Sequence, residues 1–228
     1  MIVLGIETSV RPGSLALMSD GQLLEERLIE REGRRQAQAI VSEAKALTLA
    51  HGYSLNEVGL IGVSHGPGSF TGLRVGITFA KTLAYAIGCR LVAVATPEVI
   101  AHQSRCDETQ CVVMIDAQRG DVFAQRFEKI DSMWRATSPM RVLSANQVLS
   151  DVAEDGGSIL LTGPGRPRGD ATKPDTGFQV ADDVQAVPMA ATVARLSIDT
   201  QRNCDACDPF ELEPLYVRVS AAEEKNPA

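Results

Sequence analysis

Apolar positions in residues 1–95 follow two different rhythms. Ile2 to Ile6 is a short apolar run that ends in the polar trio Glu7, Thr8 and Ser9. Ser14 to Met18 is a second run, and Asp20-Gly21 behind it is a tight-turn dipeptide that favours a hairpin. Gln22 to Ile29 continues the pattern with Leu23, Leu24, Leu28 and Ile29, so three antiparallel strands are predicted. From Arg34 to Ala50 the period changes. Ala37, Ile40, Val41, Ala44, Leu47 and Thr48 recur at three- and four-residue steps with no Gly or Pro between them, which predicts a helix closed by His51-Gly52. Val58 to Val63 predicts a buried strand, and Leu73 to Ile87 a second helix stopped by Gly88. Leu91 to Val94 predicts another strand. Pro97 can open a short helix, where its missing N–H costs nothing.

The order β-β-β-α-β-α resembles the repeating half of the actin/hexokinase/acetate-kinase superfold. The fold class expected is therefore α/β: a two-lobed actin-like ATPase fold, with a mixed five-stranded sheet and helices in the first lobe. A smaller, degenerate second lobe is expected from Val112 to Ile115, Val122 to Phe127 and Trp134 to Val142 as strands, Ala145 to Val152 as a helix, and Ile159 to Leu161 as a fourth strand. Pro188 to Thr200 is a final helix that could return to the first lobe. The division expected is 1–104 for the first lobe, 105–219 for the second and 220–228 for a frayed tail. Gly163 to Gly177 is rich in Gly, Pro and charge and reads as a surface loop.

Composition narrows the function classes. The chain has 228 residues, 44% hydrophobic and 22% charged, with a net charge of −7. Affinity for a phosphate backbone comes mainly from Lys and Arg, so an acidic chain is a poor candidate to hold RNA by itself. The opening MIVLGIETS has no basic stretch and no long apolar run, and no window approaches the ~20 apolar residues of a membrane span. A cytoplasmic protein is expected. Five cysteines at irregular spacing fit a reducing compartment better than a disulfide framework.

The stretch Gly66 to Gly76, GPGSFTGLRVG, concentrates the candidate chemistry. Gly66, Gly68 and Gly72 permit close approach to the backbone, and Ser69 and Thr71 place hydroxyls just before a helix. A Gly-rich turn feeding a helix N-terminus presents free N–H groups and a positive dipole end, a common anion site. A strand-to-helix turn that binds nothing fits the same residues, and the two readings stand side by side. The loop is neither a Walker A sequence nor GxGxxG.

As an eleven-residue string the loop resembles that of the TsaB (YeaZ) family. Leu4 to Ser9 (LGIETS) resembles that family's opening strand and relic phosphate loop, Val112 to Phe127 its later strand–turn–strand, and ILLTGPG and Pro214 to Arg218 (PLYVR) its further landmarks. The likeness covers nearly the whole chain, with 166–186 unplaced. It implies a non-catalytic subunit that binds and supports the TsaD threonylcarbamoyl transferase. That reaction forms N6-threonylcarbamoyladenosine beside the anticodon of tRNAs reading codons that start with A. It further implies an ATPase subunit, TsaE, in the larger complex, tRNA contact only through that complex, and a homodimer when the chain is alone. No cofactor is required of the chain, although ATP or ADP could bind at the complex.

The residues agree in part. The three histidines, His51, His65 and His102, include no i, i+4 pair, so neither a metal set nor a catalytic residue is assigned. An actin-like ATPase has Asp then Gly at the end of its first strand, where this chain has Glu7-Thr8. The family often carries a His where Arg34-Arg35-Gln36-Ala37-Gln38 stands here. The alternative is an ATP hydrolase or kinase using Glu7 and the Gly66 loop, with Thr8, Ser9, Gly68, Ser69, Thr71 and Gly72 as further phosphate candidates. A peptidase would need metal ligands the chain lacks. The resemblance implies that the two long helices meet an equivalent pair in the partner. Ala37, Val41 and Ala44 are the candidates on the first, and Arg74, Gly76, Ile77, Ala80 and Ala84 on the second. Gly76, Ala80, Ala84 and Gly88 form a stripe of small residues that would let another helix come close, or seat the helix on its own sheet. Arg74 and Lys81 read as phosphate-facing or solvated, Trp134 as a packing anchor, Cys204 and Cys207 as an incidental CxxC, and Asp116, Arg119 and Asp121 as a charged turn.

Overall fold

The computed structural model describes residues 1–29, 34–155, 157–168, 178–203 and 207–217. Its first sheet has the strand order β3-β2-β1-β4-β5, formed by β1 (Ile2–Glu7), β2 (Gly13–Ser19), β3 (Gln22–Ile29), β4 (Val58–Gly66) and β5 (Arg90–Ala95). β1, β2 and β3 pair antiparallel, and β1, β4 and β5 pair parallel. Asp20 and Gly21 both take positive φ in the first hairpin (49° and 82°), the backbone that the Asp-Gly dipeptide favours.

Alternation along β1 divides its side chains between two helical layers. Ile2, Leu4 and Ile6 join one core with α1 (Arg34–Ala50) and α2 (Phe70–Ile87), represented by Ile40, Leu47, Leu73 and Ile77. Val3 joins the opposite core with α3 (Thr96–Gln103) and α5 (Ala190–Asn203), through Val99 and Val193. The final helix thus lies on the first sheet. Glycine lets it sit close: a Cβ on Gly5 would come within 2.2 Å of the Ala190 carbonyl oxygen.

The second sheet has the order β11-β10-β6-β7-β8, from β6 (Gln110–Gln118), β7 (Asp121–Ile130), β8 (Met133–Ala136), β10 (Ile159–Thr162) and β11 (Phe178–Val180). β9 (Arg141–Ser144) also pairs with β7, and α4 (Ala145–Asp155) packs Val148 and Val152 on this sheet. The two sheets with their helices are the two-lobed actin-like arrangement that the sequence predicted.

Several boundaries differ from expectation. α2 begins at Phe70, one turn before Leu73, because the Ser69 hydroxyl caps it by accepting the Gly72 amide at 3.3 Å. Gly88 ends it in the left-handed conformation at φ 68°. The single strand expected over 134–142 is two strands. Pro139 has no N–H to donate, and residues 137–140 cross only Gln125 and Arg126 of β7. Ser138 Oγ accepts the Arg126 amide there at 3.0 Å. β11 is an additional strand, too short to show a period. The stretch from Gly163 begins as a buried turn, not a surface loop. Arg166, 6% exposed, donates to the carbonyls of Ala181 (2.7 Å) and Gly163 (3.2 Å) and to Asp183 (2.5 Å). Residues 169–177 and the expected tail at 220–228 lie outside the described residues.

Candidate functional site

The Gly66 loop and the end of β1 meet as one packed unit. Glu7, Thr8 and Ser9 are all buried. Ser9 donates both its amide and its hydroxyl to Glu7 Oε1, each at 2.5 Å, while Oε2 has no partner among the described residues. Burial pushes the Glu7 carboxyl from its ordinary 4.5 up to about 7, against the Ser9 donors and the nearby Ser64 hydroxyl, which pull it down. Ser64, on the neighbouring strand β4, is near enough to Glu7 to lower its pKa but makes no well-formed hydrogen bond among the described residues. Thr96, at the start of α3, carries a buried hydroxyl without a partner among the described residues.

The glycines of the loop face the chain's own backbone. A Cβ would lie 2.2 Å from the Ser9 carbonyl oxygen at Gly68, 2.0 Å from the Thr8 carbonyl oxygen at Gly72, and 2.1 Å from Thr8 Oγ1 at Gly76. The Ser69 amide donates to the Ser9 carbonyl at 2.6 Å, and the Gly72 amide to Ser69. A phosphate cradle needs free amides and open space, whereas the Ser69 and Gly72 amides are taken and the Cβ side of Gly68, Gly72 and Gly76 faces Thr8 or Ser9. Thr8, Ser9, Gly68, Ser69 and Gly72 close on one another, with Glu7 bonded to Ser9, while Gly66 packs against Leu215 and Leu73. Thr71 is exposed on the first turn of α2.

The stripe of small residues also turns inward. Gly76, Ile77, Ala80 and Ala84 are buried, with Ile77, Ala80 and Ala84 in the core beneath α2 and Gly76 against Thr8, and Ala44 of α1 is buried with them. These five partner-contact candidates seat their helices within the chain. Of the others, Val41 is 51% exposed and Arg74 is exposed, while the side chain of Ala37 lies outside the described residues.

Arg74 and Lys81 are neither phosphate-facing nor simply solvated. They hold the segment 207–217 across α2. Lys81 Nζ donates to the carbonyls of Phe210 (3.3 Å) and Leu212 (2.8 Å), and Arg74 Nε to the Tyr216 hydroxyl (3.0 Å). The Leu215 amide donates to the His65 carbonyl at 2.7 Å, and Leu212 is buried in the α1–α2 core. Two aromatic pairs border α2: Phe70 with Tyr216 at 5.1 Å, and the exposed Tyr85 with Phe210 at 5.2 Å. Sequence reasoning missed Tyr85, Phe210 and the exposed Leu49 of α1. The only signal for Tyr85 and Leu49 was a large apolar side chain at a helix position away from the core face, and Phe210, in a turn, gave none.

The remaining chemistry-bearing residues have structural partners. His51 Nε2 meets Glu25 at 2.8 Å, and Arg27 donates to the same carboxylate at 2.5 Å, which together hold it low, at about 2. His102 Nε2 meets the Trp134 carbonyl at 3.0 Å, and Trp134 is buried in the second-lobe core with Lys129 over its ring. Asp116 accepts the Gln118 amide at 2.7 Å in the β6–β7 turn. Cys207 donates its amide to the Leu91 carbonyl, and Cys204 lies outside the described residues. Among the described residues no group of three His, Cys, Asp or Glu could hold a metal ion, and no helix is long and apolar enough to cross a membrane.

The model of the family described as "TsaD: tRNA N6-adenosine threonylcarbamoyltransferase" matches residues 29–202. The chain belongs to this family. Its similarity to TsaD-family transferases is partial: that of Thermosipho africanus is 34% identical, over 41% of this chain and 33% of that protein. Similarity to the shorter relatives runs from end to end. The tRNA threonylcarbamoyladenosine biosynthesis protein TsaB of Escherichia coli is 24% identical, covering 100% of this chain and 99% of that protein. That of Bacillus subtilis is 25% identical, covering 99% and 97%. The solved structure of YeaZ from Pseudomonas aeruginosa shares the fold, with a TM-score of 0.77 at 21% identity over 95% of this chain and 99% of that one.

Proposed function

We propose that the protein is the TsaB-type subunit of the machinery that forms N6-threonylcarbamoyladenosine in tRNA, and that it acts by binding a TsaD-type transferase. The observation that carries this reading is the end-to-end match to proteins named TsaB, where the pairwise match to the Thermosipho africanus transferase covers 41% of this chain and 33% of that protein. The subunit itself is non-catalytic. The closure of Gly68, Gly72 and Gly76 onto Thr8 and Ser9, where an ATPase needs room for phosphate, supports this.

The heterodimer uses the outer faces of α1 and α2. Val41, Leu49 and Tyr85 offer apolar area there, and Phe210 extends it beside α2. The same surface serves a homodimer when the transferase is absent. TsaE joins the larger complex, tRNA is reached only through it, nucleotide is not required of this chain, and the assembly works in the cytoplasm. Co-expression with the TsaD-type transferase of the same cell tests the proposal. Co-purification, with modified adenosine appearing only when both chains are present, is the expected result. An isolated chain that hydrolyses ATP and loses this on Glu7→Ala would instead establish the kinase or hydrolase alternative.

A further inference from the structure

The second lobe holds a cavity of about 70 Å³ between β7, β9 and α4. It lies where four residues, 137–140, cross opposite only two of β7, and Ser138 of that crossing lines it. The floor is apolar, made by Val112, Ala124, Leu143 and Val148. Arg141 on β9 and Asp151 on α4 stand at its wall with opposite charges.

These two charges do not neutralise each other. Asp151 accepts from Gln147 Nε2 at 2.7 Å, and among the described residues the Arg141 guanidinium has neither an ion pair nor a hydrogen bond. The second arginine at the wall, Arg126, is already paired with Asp155. Ser138 is committed to β7 through its hydroxyl and carbonyl. A cation and an anion held apart over an apolar floor are complementary to a molecule that carries both charges on a small apolar body.

We propose that this cavity binds a free α-amino acid with a short apolar side chain. Its carboxylate meets Arg141, its ammonium meets Asp151, and its side chain rests on Ala124, Leu143 and Val148. The site is independent of the α1–α2 surface, so it stands or falls separately from the partner role.

Titration of the full chain with L-valine, followed by amide NMR shifts, tests it. Saturable shifts at Ala124, Gln125 and Leu143 are expected. Isovalerate lacks the ammonium and isobutylamine lacks the carboxylate, and each should bind roughly 10-fold or more weakly. Arg141→Gln and Asp151→Asn should each weaken L-valine by a similar factor while the amide spectrum elsewhere stays native; the second keeps an acceptor for Gln147. Absence of saturable shifts with L-valine overturns the proposal. So does isovalerate binding as tightly as L-valine, or unchanged affinity in both variants.

Discussion

Glu7→Gln should make the protein more stable at pH 8 and leave it nearly unchanged at pH 4. The carboxyl is fully buried with its pKa raised from 4.5 to about 7, and burial is the largest cause. The sign follows from proton linkage. Between these two values the folded state keeps a proton that the unfolded state has released. The Glu7 contribution to folding stability therefore falls as pH rises from about 4.5 to about 7, and levels off above. The lowered pKa values of partly buried His65 and His102 act in the opposite sense in both proteins. The gap of about 2.5, at about 1.36 kcal/mol for each tenfold, amounts to about 3 kcal/mol. Glutamine keeps an acceptor for the Ser9 amide and hydroxyl, and places an N–H₂ where Oε2 now has no partner. At roughly 2–4 °C per kcal/mol for a chain of this size, the thermal midpoint at pH 8 should rise by about 6–12 °C. The assay is thermal or urea unfolding of both proteins across pH 4–9. A stability difference between the two proteins that stays constant over this range, or a Gln variant that is less stable at pH 8, refutes the reasoning.

Four further outcomes follow from the same packing. Gly72→Ala puts a Cβ 2.0 Å from the Thr8 carbonyl oxygen and should cost about 1–3 kcal/mol by overpacking, read as a lower urea midpoint with an unchanged slope. Ala80→Trp should unfold the protein, because Ala80 is 0% exposed; a native circular dichroism spectrum would refute this. Leu49→Asp and Tyr85→Asp should keep the wild-type thermal midpoint yet abolish co-purification with the transferase, and retained co-purification would move the interface elsewhere. Arg166→Met should destabilise the second lobe by about 1–3 kcal/mol, since it strands the Ala181 carbonyl while the Gly163 carbonyl keeps the backbone amide of residue 166, measurable by amide hydrogen exchange in β10.

Local pattern carried most of the fold. The three-strand meander, the Asp20-Gly21 turn, α1 from Arg34 to Ala50 and the Gly88 stop all depend on neighbours within a turn or a strand. The break at Pro139 was visible as a proline, but two strand segments along one edge of β7 depend on a partner far away in sequence. The aromatic pair Tyr85–Phe210 and the Lys81 bonds to Phe210 and Leu212 join positions more than a hundred residues apart, beyond any window of periodicity.

By itself the sequence determined that something must come very close at Gly66, Gly68, Gly72 and Gly76, and that small residues line one face of α2. It also placed a carboxylate at the end of β1. Only the tertiary structure decided what comes close. A missing Cβ admits a phosphate, a partner helix or the chain's own backbone equally well, because all three need the same few ångströms. Here the occupant is Thr8 or Ser9 at Gly68, Gly72 and Gly76 and Leu215 at Gly66, and burial beside this loop raises the Glu7 pKa.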